Sequence, residues 1–309
     1  MDLLSEKMCL RKGDLVSLVA TARKISFEEI ETAVKLLESW GLNVLVDSRL
    51  FAVDNQFAGN DQHRAALLQE MIDNDAVRAI FCVRGGYGTV RMVDKVDFSP
   101  LRRSPKWIVG YSDVTVLHSH LNRHCGIPSL HAIMPVNITP DVPADAPALS
   151  SLHELLFRGS MSLAVDRCGG LLPPDRVGKC YAPVVGGNLS VLYSLLASDS
   201  DVDTDGKILL IEDLDEYLYH IDRMMMALKR AGKLDRLAGL IVGRFSDMHD
   251  NAIPFGSDAY HIVYDAVSEY DYPVCFNAPF GHIGQDNVAL PLGLPLYLSV
   301  SEHGFRISL

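Results

Sequence analysis

The sequence predicts an α/β protein in two parts, a doubly wound parallel sheet followed by a smaller C-terminal α/β domain. Three observations carry that prediction. The 309 residues exceed the roughly 100–200 of a typical single domain. Short apolar runs alternate with amphipathic segments through the first half, the pattern of parallel strands joined by helical crossovers. Between Pro140 and Asp175 the texture then changes, as Pro140, Pro143, Gly159, Gly169, Gly170, Pro173 and Pro174 interrupt the periodicity. This divides the chain into an N-terminal domain over 1–160, a linker over 161–178 and a C-terminal domain over 179–309.

In order, residues 15–20 read as a buried strand, and 27–40 read as a helix with Ile30, Ala33, Val34 and Leu37 on one face. The alternation continues with a strand at 42–46, a helix at 61–72, strands at 77–83 and 106–110, a helix at 114–121 and a strand at 129–133. A helix at 147–157 precedes the linker. Beyond it come helices at 188–197, 218–228 and 259–270, with Ile221, Met224 and Met225 turned inward on the second. Strands are expected at 207–211, 237–242, 274–276, 296–300 and 305–308, so the chain ends in β structure.

Composition narrows the function. Hydrophobic residues are 48% and charged residues 22%, which excludes a disordered or collagen-like chain. Twenty-eight Lys and Arg against 39 Asp and Glu leave a net charge of −11, which repels phosphate backbones and anionic lipid and argues against nucleic acid or a membrane as partner. Glu6, Lys7, Arg11 and Lys12 deny the N-terminus an apolar signal-peptide core. The six cysteines, Cys9, Cys82, Cys125, Cys168, Cys180 and Cys275, include no C-x-x-C pair and read as thiols of a reducing compartment. A soluble, cytoplasmic protein is expected.

Four segments carry residues suited to chemistry. In Gly110-Tyr111-Ser112-Asp113 a serine stands where a buried strand gives way to a helix, beside the first amides of that helix. The same serine equally suits an N-cap, and the G-x-S-x-G elbow of ordinary α/β-hydrolases is not matched. Arg84-Gly85-Gly86-Tyr87-Gly88 follows another strand and suits either a tight turn or backbone amides approaching a ligand. Ile211-Glu212-Asp213 ends an apolar strand in carboxylates, with Glu216 close behind; such residues cap helices or, on a rigid perch, orient a histidine. Phe280-Gly281-His282-Ile283-Gly284 holds a histidine between glycines, where packing gives it little reason to be. Neither G-x-G-x-x-G nor G-x-x-x-x-G-K-[ST] occurs, so no nucleotide cofactor is expected. His118, His120 and His124 share a helix without H-E-x-x-H or a completing ligand, so structural or surface roles are expected and no metal site.

Taken together and in order, these segments with Gly186-Gly187-Asn188-Leu189-Ser190 and Asn277-Ala278-Pro279-Phe280-Gly281-His282 resemble the LD-carboxypeptidase family, which comprises muramoyltetrapeptide carboxypeptidases and microcin C immunity peptidases. The resemblance runs over nearly the whole chain. It implies an amidotransferase-like N-terminal domain and a serine peptidase with Ser112 as nucleophile, His282 as general base and Glu212 holding the imidazole. Glu216 is a second acidic candidate that matches the family position less well. Amides of Gly86 and Asp113 are the expected oxyanion donors, with Arg84 and Gly85 as substrate contacts. The first strand ends in Ala20-Thr21-Ala22 where the family more usually has a proline and serines. The resemblance further implies a homodimer and a murein tetrapeptide substrate met in cytoplasmic wall recycling. Its alternative is a peptidyl or aminoacyl nucleotide, and a reading of another class is a non-catalytic module holding a phosphorylated ligand at Gly85-Gly86.

Overall fold

The structure is a computed structural model that describes residues 8–166 and 172–309; Glu6, Lys7, Cys168, Gly169 and Gly170 lie outside the described residues. The N-terminal strands are β1 (Leu15–Val19), β2 (Asn43–Leu45), β3 (Val77–Cys82), β4 (Trp107–Gly110) and β5 (Ser129–His131), all parallel to their neighbours. Helices α1 (Glu31–Ser39), α2 (Asp61–Asp73), α3 (Thr115–His124) and α4 (Pro147–Arg158) cover them. Ala33, Val34 and Leu37 of α1 pack with Leu149 and Leu152 of α4 on one face, while Leu67 and Leu68 of α2 pack with Val116 and Leu117 of α3 on the other. That is the doubly wound arrangement the alternation predicts.

The C-terminal strands are β6 (Ser162–Asp166), β7 (Gly178–Asn188), β8 (Ile208–Leu214), β9 (Gly239–Ser246), β10 (Val274–Cys275), β11 (Leu290–Leu292), β12 (Pro295–Ser301) and β13 (Gly304–Ser308). Seven of them form a mixed sheet in the order β10-β9-β8-β7-β12-β13-β6. Helices α5 (Leu189–Ser194), α6 (Leu218–Arg230) and α7 (Ala259–Ala266) cover one face through Leu192, Ile221, Met224, Met225 and Val263. The opposite face, with Val184, Leu210, Ile241 and Leu298, shares a core with Trp107, Val109 and Leu130 of the first sheet. The two sheets are thereby held against each other by buried apolar surface.

Besides β6, a strand of the C-terminal sheet within the stretch read as a linker, three elements depart from the expectation. The helix expected from residue 27 begins at Glu31, after a separate turn that the Ile30 amide closes on the Phe27 carbonyl at 3.0 Å. Strand β7 reads poorly in sequence because Pro183, Gly186 and Gly187 interrupt it; its first half pairs antiparallel with β12 and its second half parallel with β8, with Pro183 at the changeover. The third is β11, which leaves the C-terminal sheet and pairs antiparallel with β5, so the first sheet runs β11-β5-β4-β3-β1-β2.

Candidate active site

The site forms where strands of both sheets end. Beyond β4 the chain turns sharply at Ser112, whose φ of 62° places a non-glycine residue in the left-handed region. Such a conformation costs on the order of 1–3 kcal/mol and persists only where its surroundings impose it. The next residue supplies part of that constraint. Asp113 is buried, and its carboxylate accepts the Thr89 amide at 2.9 Å, tying the serine turn to the glycine loop after β3. Burial raises the Asp113 carboxyl above its usual range despite that hydrogen bond. A Cβ placed on Gly85 would stand 3.1 Å from Ser112 Oγ, so the glycine backbone passes directly beside the hydroxyl.

Glu212 projects from β8 with no solvent exposure, and its Oε2 stands 2.8 Å from Nδ1 of His282. Burial works against its ionisation, but the adjoining His131 and the hydrogen bond from His282 outweigh that and hold the carboxyl down at about 2. An ionised carboxylate can only accept, so Nδ1 carries the proton and Nε2 is left as the basic nitrogen. Burial lowers the His282 pKa, and Glu212 more than offsets this to leave it raised. The Tyr111 ring packs on the imidazole at a centroid distance of 4.8 Å. Gly281, at φ +119°, is required here, since a Cβ would fall 2.7 Å from Glu212 Oε2.

Ser112 and His282 line one open cleft of about 640 Å³, together with Arg23, Arg84, Gly85, Gly86, Met134, Asn137, Asp215 and Glu216. Among the described residues no hydrogen bond joins the serine to the imidazole, and none takes up the amide of Gly86. Arg84 donates to Glu29 Oε1 at 2.9 Å and to the Lys24 carbonyl at 3.2 Å. Glu216 is turned to α6, where its Oε2 lies 2.6 Å from Nδ1 of His220, so Glu212 and not Glu216 holds His282. Asp213 faces away from the imidazole and accepts from Asn188 Nδ2, the Ser190 amide and the Leu214 amide. Burial and the neighbouring Glu212 charge push it up to about 7.

The helix histidines have protein partners. His118 donates from Nε2 to the Gly110 carbonyl and accepts from Ser129 Oγ, and burial pushes it down to about 3. His120 lies 2.9 Å from Ser200 Oγ, and His124 donates to the Asp199 carbonyl. One histidine that sequence reasoning passed over adjoins the site. His131, at the end of β5 and without solvent exposure, places Nε2 at 3.9 Å from Glu212 Oε1, too far for a hydrogen bond but close enough for charge to act. Its position depends on two sheets meeting, which no local pattern announces; a histidine inside an otherwise apolar run was the available signal.

A hydroxyl on a strained strand-to-helix turn, facing a carboxylate-held imidazole across a cleft between two α/β domains, is the constellation of a serine peptidase. The chain belongs to the LD-carboxypeptidase family, peptidase S66: the model of the family's N-terminal domain matches residues 16–132 and that of its C-terminal domain matches 181–298. It is 34% identical over 301 residues to the probable murein peptide carboxypeptidase of Bacillus subtilis, covering 95% of this chain and 91% of the relative. To the murein tetrapeptide carboxypeptidase of Pseudomonas aeruginosa it is 26% identical, covering 90% and 91%. The crystal structure of muramoyltetrapeptide carboxypeptidase from Oxalobacter formigenes superposes with a TM-score of 0.84 at 28% identity, covering 95% of this chain and 98% of that one. The microcin C7 self-immunity protein MccF shares the fold, with a TM-score of 0.84 at 20% identity and 97% of each chain covered. Among the described residues no helix is long and apolar enough to cross a membrane.

Proposed function

We propose that this protein is a serine LD-carboxypeptidase that removes the terminal D-alanine of murein tetrapeptide during cytoplasmic wall recycling, through Ser112, His282 and Glu212. The observation that carries the reading is the buried Glu212 bonded to His282 Nδ1, which leaves Nε2 directed to the cleft that Ser112 shares. In the first half-reaction His282 Nε2 takes the Ser112 proton as Oγ attacks the carbonyl carbon of the penultimate residue. The oxyanion is met by the amides of Gly86 and Asp113. Collapse breaks the C–N bond, the proton passes from Nε2 to the departing amine, and D-alanine leaves. Water then repeats the sequence on the acyl-enzyme, giving its proton to His282 and restoring Ser112.

An exopeptidase must hold a free carboxylate, and Arg23 and Arg84 supply positive charge on the cleft wall. Fixing that carboxylate while aiming Ser112 at one carbonyl face also fixes the configuration of the residue donating the carbonyl. The L preference follows the family, as does the murein peptide, which the names of the Bacillus and Pseudomonas relatives support. Purified protein incubated with murein tetrapeptide, with pentapeptide ending in D-alanyl-D-alanine and with an aminoacyl-sulfamoyl adenosine, products read by mass spectrometry, tests this. Release of D-alanine from tetrapeptide alone is expected. Preferential cutting of pentapeptide overturns the LD assignment, and cutting of the adenylate analogue alone establishes the nucleotide reading instead.

A further inference from the structure

Two arginines line the cleft, and their surroundings differ. Arg84 is already committed, bonded to the Glu29 carboxylate and the Lys24 carbonyl. Arg23 is exposed, and among the described residues its guanidinium has neither an ion-pair nor a hydrogen-bond partner. Its backbone is nevertheless fixed. Arg23 bridges Phe57, the Lys24 amide donates to Gln56 and the Ala58 amide donates to Ala22, so both flanks are pinned. A charged side chain on a pinned backbone, uncompensated in a protein of net charge −11, is arranged to meet an anion.

The glycine loop says where that anion lies. A Cβ on Gly86, at φ +108°, would fall 2.7 Å from Arg23 Cδ and 2.8 Å from Nε, so the arginine stem lies across a residue that must have no side chain. The preceding glycine, Gly85, bears the same relation to Ser112 Oγ at 3.1 Å. Successive Cα atoms are about 3.8 Å apart. Hydroxyl and arginine stem therefore lie against successive residues of one loop, which puts both beside the same stretch of a bound peptide. Asp215 and Glu216 line the same cleft, and a carboxylate is disfavoured beside them.

We propose that Arg23 is the residue that binds the C-terminal carboxylate of the departing amino acid, and so sets the release of one residue at a time. The proposal rests on the carboxypeptidase reading. Its planar fork takes both carboxylate oxygens, which an ammonium cannot do in the same geometry. The test compares tetrapeptide as free acid and as C-terminal amide in wild type, Arg23→Gln and Arg23→Lys, with fluorophosphonate labelling of Ser112 as a carboxylate-independent readout. Loss of a charge-assisted pair predicts that Arg23→Gln lowers kcat/KM for the free acid roughly 10- to 100-fold, mainly through KM. The amide should be a poor substrate for wild type and equally poor for Arg23→Gln, labelling should be unchanged, and Arg23→Lys should recover part of the loss. Wild type that discriminates acid from amide, with Arg23→Gln discriminating equally or Arg84→Gln alone losing the preference, overturns the role of Arg23 while leaving the peptidase reading in place. Wild type that cuts neither peptide overturns both.

Discussion

Replacing Glu212 by Gln isolates what one buried charge contributes. Folding draws this carboxyl from 4.5 to about 2, which at about 1.4 kcal/mol per pH unit corresponds to roughly 3 kcal/mol in favour of the ionised form. Because the folded pKa lies below the unfolded one, that stability is fully present above about pH 4.5 and is lost as pH falls toward 2. Glu212→Gln should therefore unfold in urea with a stability roughly 3 kcal/mol below wild type at pH 7, and the gap should narrow to roughly half by pH 3. Catalysis should suffer more. An amide can hold the ring but cannot stabilise imidazolium or enforce the tautomer, and kcat should fall by about 10³- to 10⁴-fold, less than on removing Ser112 or His282. The pH profile supplies an independent reading. Burial lowers the His282 pKa and Glu212 raises it, so the acid limb of kcat/KM, which in wild type lies higher than a free imidazole would give, should move to lower pH in the variant. A variant with wild-type stability at pH 7 and an unmoved acid limb would refute the reasoning, and a silent Glu212→Gln beside a damaging Glu216→Gln would reassign the carboxylate.

Substitutions at two further positions probe the geometry. Ser112→Ala should lower turnover by at least about 10⁴-fold with unchanged circular dichroism, whereas Ser112→Gly, which tolerates φ 62°, should be as inactive yet more stable by about 1 kcal/mol; retained peptidase activity in Ser112→Ala removes the nucleophile assignment. Gly281→Ala should displace Glu212 from His282, costing roughly 1–3 kcal/mol in denaturant and more than about 100-fold in rate, and a variant active at the wild-type level shows that the approach at Gly281 does not position the carboxylate.

Much of this was legible because the relevant signals are local. The turn at Ser112 follows an uninterrupted apolar strand, Glu212 closes another, and His282 stands between glycines, so the order of residues alone puts each segment at a strand end or in a loop. What was not legible depends on partners distant in the chain. The left-handed φ of Ser112 is imposed in part by Asp113 reaching Thr89. In sequence Glu212 is set apart from Glu216 by its strand-end position and the family match alone; in the structure Glu212 bonds to His282 and Glu216 to His220. Arg23 reads as an ordinary surface charge until the Gly86 backbone is seen beneath it. Strand β7 escaped because its Pro and Gly residues signal a turn in isolation, while in place they mark a strand that changes partners midway.

The return of β11 to the first sheet has a bearing on biosynthesis. Leu290 lies opposite His131, so strand β5 waits as an open edge until residue 290 has been made. At roughly 5–20 residues per second that wait is on the order of ten seconds, and an unpaired parallel edge is a template for pairing with another nascent chain. A ribosome that stalls or a message that ends just short of residue 290 therefore releases a chain with its first sheet unclosed, although every residue that the family's N-terminal model matches is already present. Damage confined to the sequence around residue 290 should thus appear as insolubility of the N-terminal domain.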